Sequence, residues 1–334
     1  MINFFNPYLI AEIGVNHEGC IEKARMLISE AKRCGFSAIK LQHIITSKVW
    51  HESFPVEKKL SQKESLPDAW LCELVEYCNE LGINIGCTPT FQGSAKTIKE
   101  SKCDFIKLAS PQAKYDLFIL DECLETNLPI IVSNGYCNLE ESMGLIKYLT
   151  RFSNSRPVAF LYCVAHYPAD EVFSNLEDIK TIAEECANTS IAFGLSDHNQ
   201  NMFQALQMKY SYNGTVFEKH FSDEDCTSLD KDVSIFSWQA KEYVRQLTMK
   251  TNISKKSRSE LFINKSSIFA SSFYLRIDVN KNQIFNIDDC SRMRDGISDN
   301  FDTAYFWSFY RSNREFRYTR DLKQGSRIGK GDLK

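Results

Sequence analysis

Apolar residues occur along the chain in two alternating textures. Eight short, near-continuous apolar runs predict strands at Leu9–Val15, Ala38–Gln42, Ile83–Thr88, Phe105–Ser110, Ile130–Ser133, Val158–Val164, Ile191–Ser196 and Val216–His220. None alternates strictly with period two, which is the pattern of parallel strands buried on both faces. Between them lie stretches with apolar positions at helical spacing. "IEKARMLISEAKRCG" ends on a glycine stop, and "DAWLCELVEYCNELG" opens on Asp68 after Pro67, a candidate N-cap. "NLEDIKTIAEECA" and "SIFSWQAKEYVRQL" follow the same spacing. Strands and helices in strict alternation over about 240 residues predict a (β/α)8 TIM barrel rather than an open doubly wound sheet. No G-x-G-x-x-G follows the first strand, which weakens a dinucleotide-binding reading.

After Leu247 the texture changes. "TMKTNISKKSRSE" is polar and basic, and beyond it come short runs rich in turn residues. The expected organisation is a barrel over 1–247, a linker over 248–264 and a small β-rich domain over 265–334. Net charge is −3 overall but uneven: from Arg245 onward 18 Lys/Arg face 10 Asp/Glu, so this piece carries +8 and the remainder −11. A basic tail suits nucleic acid or a lid over an anionic substrate; no recognised nucleic-acid motif is present, so no nucleic-acid partner is expected. No apolar run approaches the roughly 18 residues of a membrane span, and the N-terminal "MINFFNPYLIAEIG" lacks a basic n-region and a cleavage site. The twelve cysteines are scattered without a C-x-x-C pair, and several, such as Cys87, Cys103 and Cys163, lie in apolar runs. They read as buried apolar residues of a reducing compartment, the cytoplasm.

In a (β/α)8 barrel the chemistry sits at the C-terminal ends of the strands. There the sequence delivers Glu12, Asn16 and His17; Lys40, Gln42 and His43; Thr88; Lys107, Ser110 and Gln112; Ser133 and Asn134; His166 and Tyr167; Ser196, Asp197 and His198; and Glu218, Lys219 and His220. Lys40 and Lys107 lie inside apolar strands, where an unpaired ammonium is costly, so they require anions. The hydroxyls of Thr88, Ser110, Ser133 and Ser196 can donate to phosphate or carboxylate oxygens. Together they point to a small, multiply charged anion. His198 and His220 end adjacent strands, and two imidazoles so placed can share a divalent metal; either alone would read as a core or rim histidine. Glu12 can equally be a structural partner of Lys40, His43 reads as a rim residue, and Tyr167 before Pro168 can simply pack a turn.

"LIAEIGVNHEG", "AIKLQ", "CTPTF", "DFIKLAS", "IIVSNG", "GLSDH" and "EKHFS", in this order, resemble the sialic acid synthase (N-acetylneuraminate synthase) family over most of residues 8–235. "FASSFYLRIDVNKNQIFNIDDCSRMRDG" and "YTRDLKQGSRIGKGDL" resemble the family's small antifreeze-like (SAF) domain, through a paired pattern of charged turn, apolar pair and following Asp. The resemblance implies condensation of phosphoenolpyruvate with an open-chain N-acylated amino-sugar aldehyde, such as N-acetylmannosamine or a diacetamido hexose, giving a nonulosonic acid and phosphate. It implies a divalent metal, Mn2+ with Mg2+ and Co2+ as alternatives, on His198 and His220. It assigns Lys40, Thr88, Lys107, Ser110, Ser133 and Ser196 to phosphoenolpyruvate. Gln42, Tyr167, Asp230 and Arg294 fall on the sugar side, and Glu12, Lys40, Lys107 and Gln112 form the catalytic set. Arg294, in "RMRDG", matches an arginine that the small domain inserts into the neighbouring subunit's site, which implies a homodimer capped in that way.

Two positions depart from the family pattern. Gln112 stands where the family carries a glutamate, so a carboxylate able to shuttle a proton is replaced by an amide that cannot. Ala165 stands where an asparagine holds phosphate. Alternatives to an active nonulosonic acid synthase are therefore a Kdo- or DAHP-type phosphoenolpyruvate–aldose synthase, and a binding or regulatory protein that has lost turnover.

Overall fold

The computed structural model describes residues 2–53, 64–169, 174–249, 271–294 and 315–334. The chain divides into two compact units, Met1–Met249 and Lys250–Lys334. In the first, eight parallel strands close into a barrel in sequence order: β1 (Tyr8–Gly14), β2 (Ala38–His43), β3 (Asn84–Pro89), β4 (Phe105–Leu108), β5 (Ile130–Ser133), β6 (Val158–Cys163), β7 (Ile191–Asp197) and β8 (Val216–His220). Around them run α1 (Ile21–Cys34), α2 (Thr46–Val49), α3 (Asp68–Leu81), α4 (Ser94–Glu100), α5 (Ser110–Tyr115), α6 (Leu117–Glu125), α7 (Leu139–Thr150), α8 (Leu176–Ala187), α9 (Phe203–Tyr212) and α10 (Ser237–Thr248). The (β/α)8 expectation holds. Among the described residues no helix is long and apolar enough to cross a membrane.

Alternation along each strand sorts side chains into two layers. Outward residues, such as Leu9, Ile39, Ile106, Val132 and Leu195, pack against the apolar stripes of the helices in one continuous core. Inward residues Tyr8, Ile10, Ala38, Phe105, Ile131, Ala159, Leu161, Ala192 and Val216 fill the lower half of the barrel, closed from below by Phe4. Gly86 makes room for this plug: a Cβ there would lie 2.1 Å from the Phe105 ring. The apolar floor fixes the depth at which polar inward residues can begin.

Local chemistry differs from expectation at four places. Asp68 does not cap α3; the cap position is Pro67. Its carboxylate instead bonds His43 Nε2 at 2.7 Å, while His43 Nδ1 lies 2.7 Å from Ser94 Oγ. His43 is therefore fully buried, not a rim residue, and it fastens the end of β2 to the first turns of α3 and α4. Ser110 opens α5 rather than ending β4, because Pro111 in the first turn favours a helix start. All twelve cysteines are free, but Cys20 and Cys72 are exposed, so burial does not account for those two.

The second unit is described over 271–294 and 315–334; residues 250–264 of the expected linker, and 265–270 and 295–314 of the small domain, lie outside the described residues. An antiparallel pair, β9 (Ser271–Leu275) and β10 (Cys290–Arg294), packs over Leu275, Val279, Cys290, Tyr318, Leu322 and Ile328. The two halves repeat one plan. Val279 and Leu322 exchange both backbone hydrogen bonds. Left-handed residues follow three positions later, Asn282 and Gly325, then one-turn helices at Ile287–Asp289 and Lys330–Asp332. Each half's aspartate accepts from the other's turn, Asp278 from Gln324 N at 2.8 Å and Asp321 from Lys281 N at 2.6 Å.

His17, buried just beyond β1, accepts from Gly19 N–H through Nδ1 at 3.1 Å, and its ring meets Trp70 edge-on. Burial pushes its pKa down to about 4. The unfolded chain thus binds this proton between about pH 6.5 and pH 4 while the folded chain does not, so stability falls as the pH falls through that window. From pH 7 to pH 5 this histidine should cost about 2 kcal/mol. Urea unfolding at both pH values should show a pH sensitivity smaller by that amount in His17→Asn; an identical loss in both proteins would reject this assignment.

Candidate active site at the barrel mouth

Directly above the apolar floor, the next inward positions are charged. Glu12, Lys40, Lys107 and Glu218 are all buried. Lys40 Nζ lies 2.8 Å from Glu12 Oε1 and 3.9 Å from Glu218 Oε1, and Lys107 Nζ lies 3.6 Å from Glu218 Oε2. Lys40 also donates to Thr88 Oγ1 at 3.1 Å, and Ser196 Oγ donates to Glu218 Oε1 at 3.2 Å. The two lysines thus already have carboxylates beside them, and Glu218, which joins both, is a mouth residue to which the sequence alone assigned no role. Its signal was available: Glu218 precedes His220 by two positions on one strand, so both face inward.

The environment separates the two carboxylates. Burial opposes the charge on Glu218, but Lys107 and Lys40 outweigh it and hold the group down to about 2. Burial pushes Glu12 above the ordinary carboxylate range against the pull of Lys40, with the Glu218 charge adding to the rise. Burial lowers Lys107, whose nearest carboxylate oxygen is beyond hydrogen-bond reach.

The layer above carries the imidazoles. The rings of His198 and His220 are 5.4 Å apart, and Tyr167, after which the peptide to Pro168 is cis, lies 4.2 Å from His198 and 5.8 Å from His220. His198 Nδ1 donates to the Val164 carbonyl at 2.8 Å, so Nε2 is the ring nitrogen left for a ligand. His220 Nδ1 lies 3.4 Å from Asp230 Oδ2. Gly14, at φ +50°, is the hub of this corner: a Cβ there would meet Asp230 Oδ2 at 2.6 Å, and Gln42 Nε2 and Glu12 Oε1 at 3.1 Å. Gln42 Nε2 donates to Glu12 Oε1 at 2.7 Å. On the opposite side Gly135 N–H donates to Ser110 Oγ at 2.9 Å, and a Cβ on Gly135 would lie 2.9 Å from Cys163 Sγ and 3.0 Å from Ala165 Cβ.

Several buried polar atoms of this mouth have no hydrogen-bond partner: Glu12 Oε2, Ser133 Oγ, Glu218 Oε2, His220 Nδ1 and Asp230 Oδ2. Buried polar groups are normally paired, so such a cluster marks a place for a ligand. Among the described residues no group of three or more His, Cys, Asp and Glu is arranged to hold a metal ion. The donor set nevertheless suits one, with two imidazoles and unpaired carboxylate oxygens of Glu12 and Asp230 in the same corner.

Hydrogen bonds, ion pairs and ring contacts tie Glu12, Lys40, Gln42, Thr88, Lys107, Tyr167, Ser196, His198, His220 and Asp230 into one set, with Ser110 joined to it through Cys163 and His198. Ser133 faces inward on β5, two positions beyond Ile131 of the plug. Gln112 lies on α5. Arg294 ends β10 of the second unit.

The NeuB family model matches residues 27–258. The spore coat polysaccharide biosynthesis protein SpsE of Bacillus subtilis is 26% identical over 248 residues, 71% of this chain and 65% of that protein. A pseudaminic acid synthase of Campylobacter jejuni is 26% identical over 345 residues, covering 98% of this chain and 96% of that one. The crystal structure of an N-acetylneuraminic acid synthetase from Leptospira borgpetersenii, in complex with citrate, has a similar fold, with TM-score 0.66 and 21% identity over 78% of this chain and 91% of that one.

Gly14→Ala tests the geometry of the mouth. The left-handed backbone costs a non-glycine residue about 1–2 kcal/mol, and the new Cβ displaces Asp230. A folded variant with a lowered melting temperature and at least tenfold weaker anion binding is expected, measured by thermal unfolding and calorimetric titration; undiminished binding would mean that Asp230 and Gln42 do not line the site.

Proposed function

This chain belongs to the NeuB family, and from that membership we propose that it is a nonulosonic acid synthase, condensing phosphoenolpyruvate with an N-acylated amino-sugar aldehyde. The observation that carries the reading is the mouth itself: two buried lysines, two buried glutamates and two imidazoles surrounded by polar atoms without partners. Such a site is preorganised for a small, multiply charged molecule, because its dipoles and charges are already desolvated and fixed.

In the reaction C3 of phosphoenolpyruvate bonds to the aldehyde carbon, water supplies the oxygen that adds at C2, and the C2–O bond to phosphate breaks. Lys107, with Ser110 and Ser133, holds the phosphate and carboxylate oxygens, and Lys40, Thr88 and Ser196 complete that side. Glu12 fixes Lys40 and Gln42 through one oxygen and turns the other to the substrates. Gln42, Tyr167 and Asp230 face the sugar. Gln112 holds a substrate group by hydrogen bonding but transfers no proton, so proton transfer is left to the carboxylates and water. A divalent cation, Mn2+ by preference, would be held by His198 and His220 and, when bound, polarises the aldehyde oxygen.

The second unit is read as a SAF domain whose Arg294 completes the sugar side in a partner copy, which makes the active species a homodimer. The cytoplasm is the compartment proposed, in keeping with twelve unpaired cysteines.

Phosphate release should be measured with phosphoenolpyruvate, Mn2+ and a panel of N-acetylmannosamine and diacetamido hexoses. Release that requires one of these sugars and falls at least a hundredfold in His198→Ala is the expected result. Phosphoenolpyruvate binding without release for any sugar would favour a protein that has lost turnover, and release with arabinose 5-phosphate alone would favour a Kdo-type reaction.

A further inference from the structure

Behind the barrel wall, on the face away from the site, a second charged pair lies in an otherwise apolar layer. Asp197 and Lys219 are register partners on β7 and β8, one position out of phase with the inward residues, and both are buried. Lys219 Nζ is 3.5 Å from Asp197 Oδ1 and donates to the Asn199 carbonyl. Asp197 Oδ1 accepts from Asn199 N–H at 2.9 Å, and Tyr243 of α10 donates to Asp197 Oδ2 at 3.2 Å. Asn199 Nδ2 in turn donates to Gln204 Oε1 at 2.7 Å.

His198 sits between Asp197 and Asn199, and His220 directly follows Lys219. One ammonium thus grips the residues on both sides of the first imidazole while occupying the position before the second. From the other side Ala169 N–H holds the His198 carbonyl at 3.0 Å. A buried ion pair seldom stabilises a fold more than apolar residues of the same volume, and its best-attested use is to fix register. Neighbours in this layer are apolar, Leu195 and Phe217 among them, so packing alone gives no reason for charge here.

We propose that Asp197, Lys219 and Tyr243 are positioning residues, a clamp behind the wall that sets the separation of His198 and His220 and so the affinity for a divalent cation. The proposal rests on the reading that these two histidines hold the metal. Supporting residues around metal ligands typically contribute 10–100-fold to metal affinity.

The test is Mn2+ titration of the full chain, followed by the electron paramagnetic resonance of free Mn2+, with phosphoenolpyruvate affinity measured by calorimetry at Mn2+ saturating for each protein. The variant Asp197→Asn/Lys219→Met leaves no unpaired buried charge, and Tyr243→Phe removes one hydrogen bond. Expected are a 10–100-fold loss of Mn2+ affinity in the double variant, a smaller but measurable loss in Tyr243→Phe, and phosphoenolpyruvate affinity within twofold of wild type in both. Unchanged Mn2+ affinity in a folded double variant overturns the clamp, as does an equal loss for both ligands, which would mean general loosening. Should the double variant not fold, unchanged Mn2+ affinity in Tyr243→Phe overturns it. Failure of the wild-type protein itself to bind Mn2+ overturns the metal reading and the clamp with it, and is seen before any variant is compared.

Discussion

Four charges closed inside the barrel are the constraint on which the site depends. Lys40 and Lys107 cannot stay charged in a low-dielectric interior without carboxylates, and Glu12 and Glu218 cannot stay ionised without ammonium groups. Their geometry is fixed from below by the plug of Phe105, Ile131 and Leu161, which leaves no room for the long side chains to fold downward. The charged layer therefore lies above the plug, with Glu12 Oε2 and Glu218 Oε2 left without hydrogen-bond partners. Register does the rest. Glu12 pairs with Lys40 on one side and His220 on the other, so the charge layer and the imidazole layer share one strand as a hinge between them.

The barrel was legible in the sequence because eight apolar runs of strand length are separated by helical periodicity, and burial on both faces leaves no other assignment for them. Lys40 and Lys107 stood out for the same reason: a charge in an apolar run is a local contradiction. What a run cannot reveal is which neighbour resolves it. Glu218 resolves both, but it lies far from either lysine in sequence, and only barrel closure brings β8 beside β1. The reading that the lysines await external anions was thus half the account. His43 was misjudged because its partners, Asp68 and Ser94, belong to two helices whose first turns converge only in the fold. Asp68 looked like a cap by position, yet its carboxylate is drawn off to the imidazole. Residues 54–63, between α2 and α3, lie outside the described residues.

The second unit shows a different kind of legibility. Its paired motif is visible as two similar stretches, and the structure explains the pairing: each aspartate caps the opposite half's turn. Neither half can satisfy its own turn alone. A repeat of this kind carries its signal in spacing rather than in hydrophobicity, which is why runs and periods identified only a β-rich texture there.

Charge counting links the two layers of the mouth. Lys40 and Lys107 against Glu12 and Glu218 sum to zero, and Asp230 adds a negative charge beside His220. A cluster without net positive charge is a poor trap for a multiply charged anion by Coulomb attraction alone, however well its hydroxyls are placed. On the proposed reading, the missing positive charge is the divalent cation on His198 and His220, so anion and cation favour each other's binding. On that reading Gln112 fits the balance, because a carboxylate at that position would add a further negative charge where Lys40 and Lys107 already face Glu12 and Glu218. On the same reading the departure at Gln112 belongs to the electrostatics of the whole mouth rather than to a local loss, and the positive charge that tips the balance would be held by the pair of histidines whose separation the outer clamp would set.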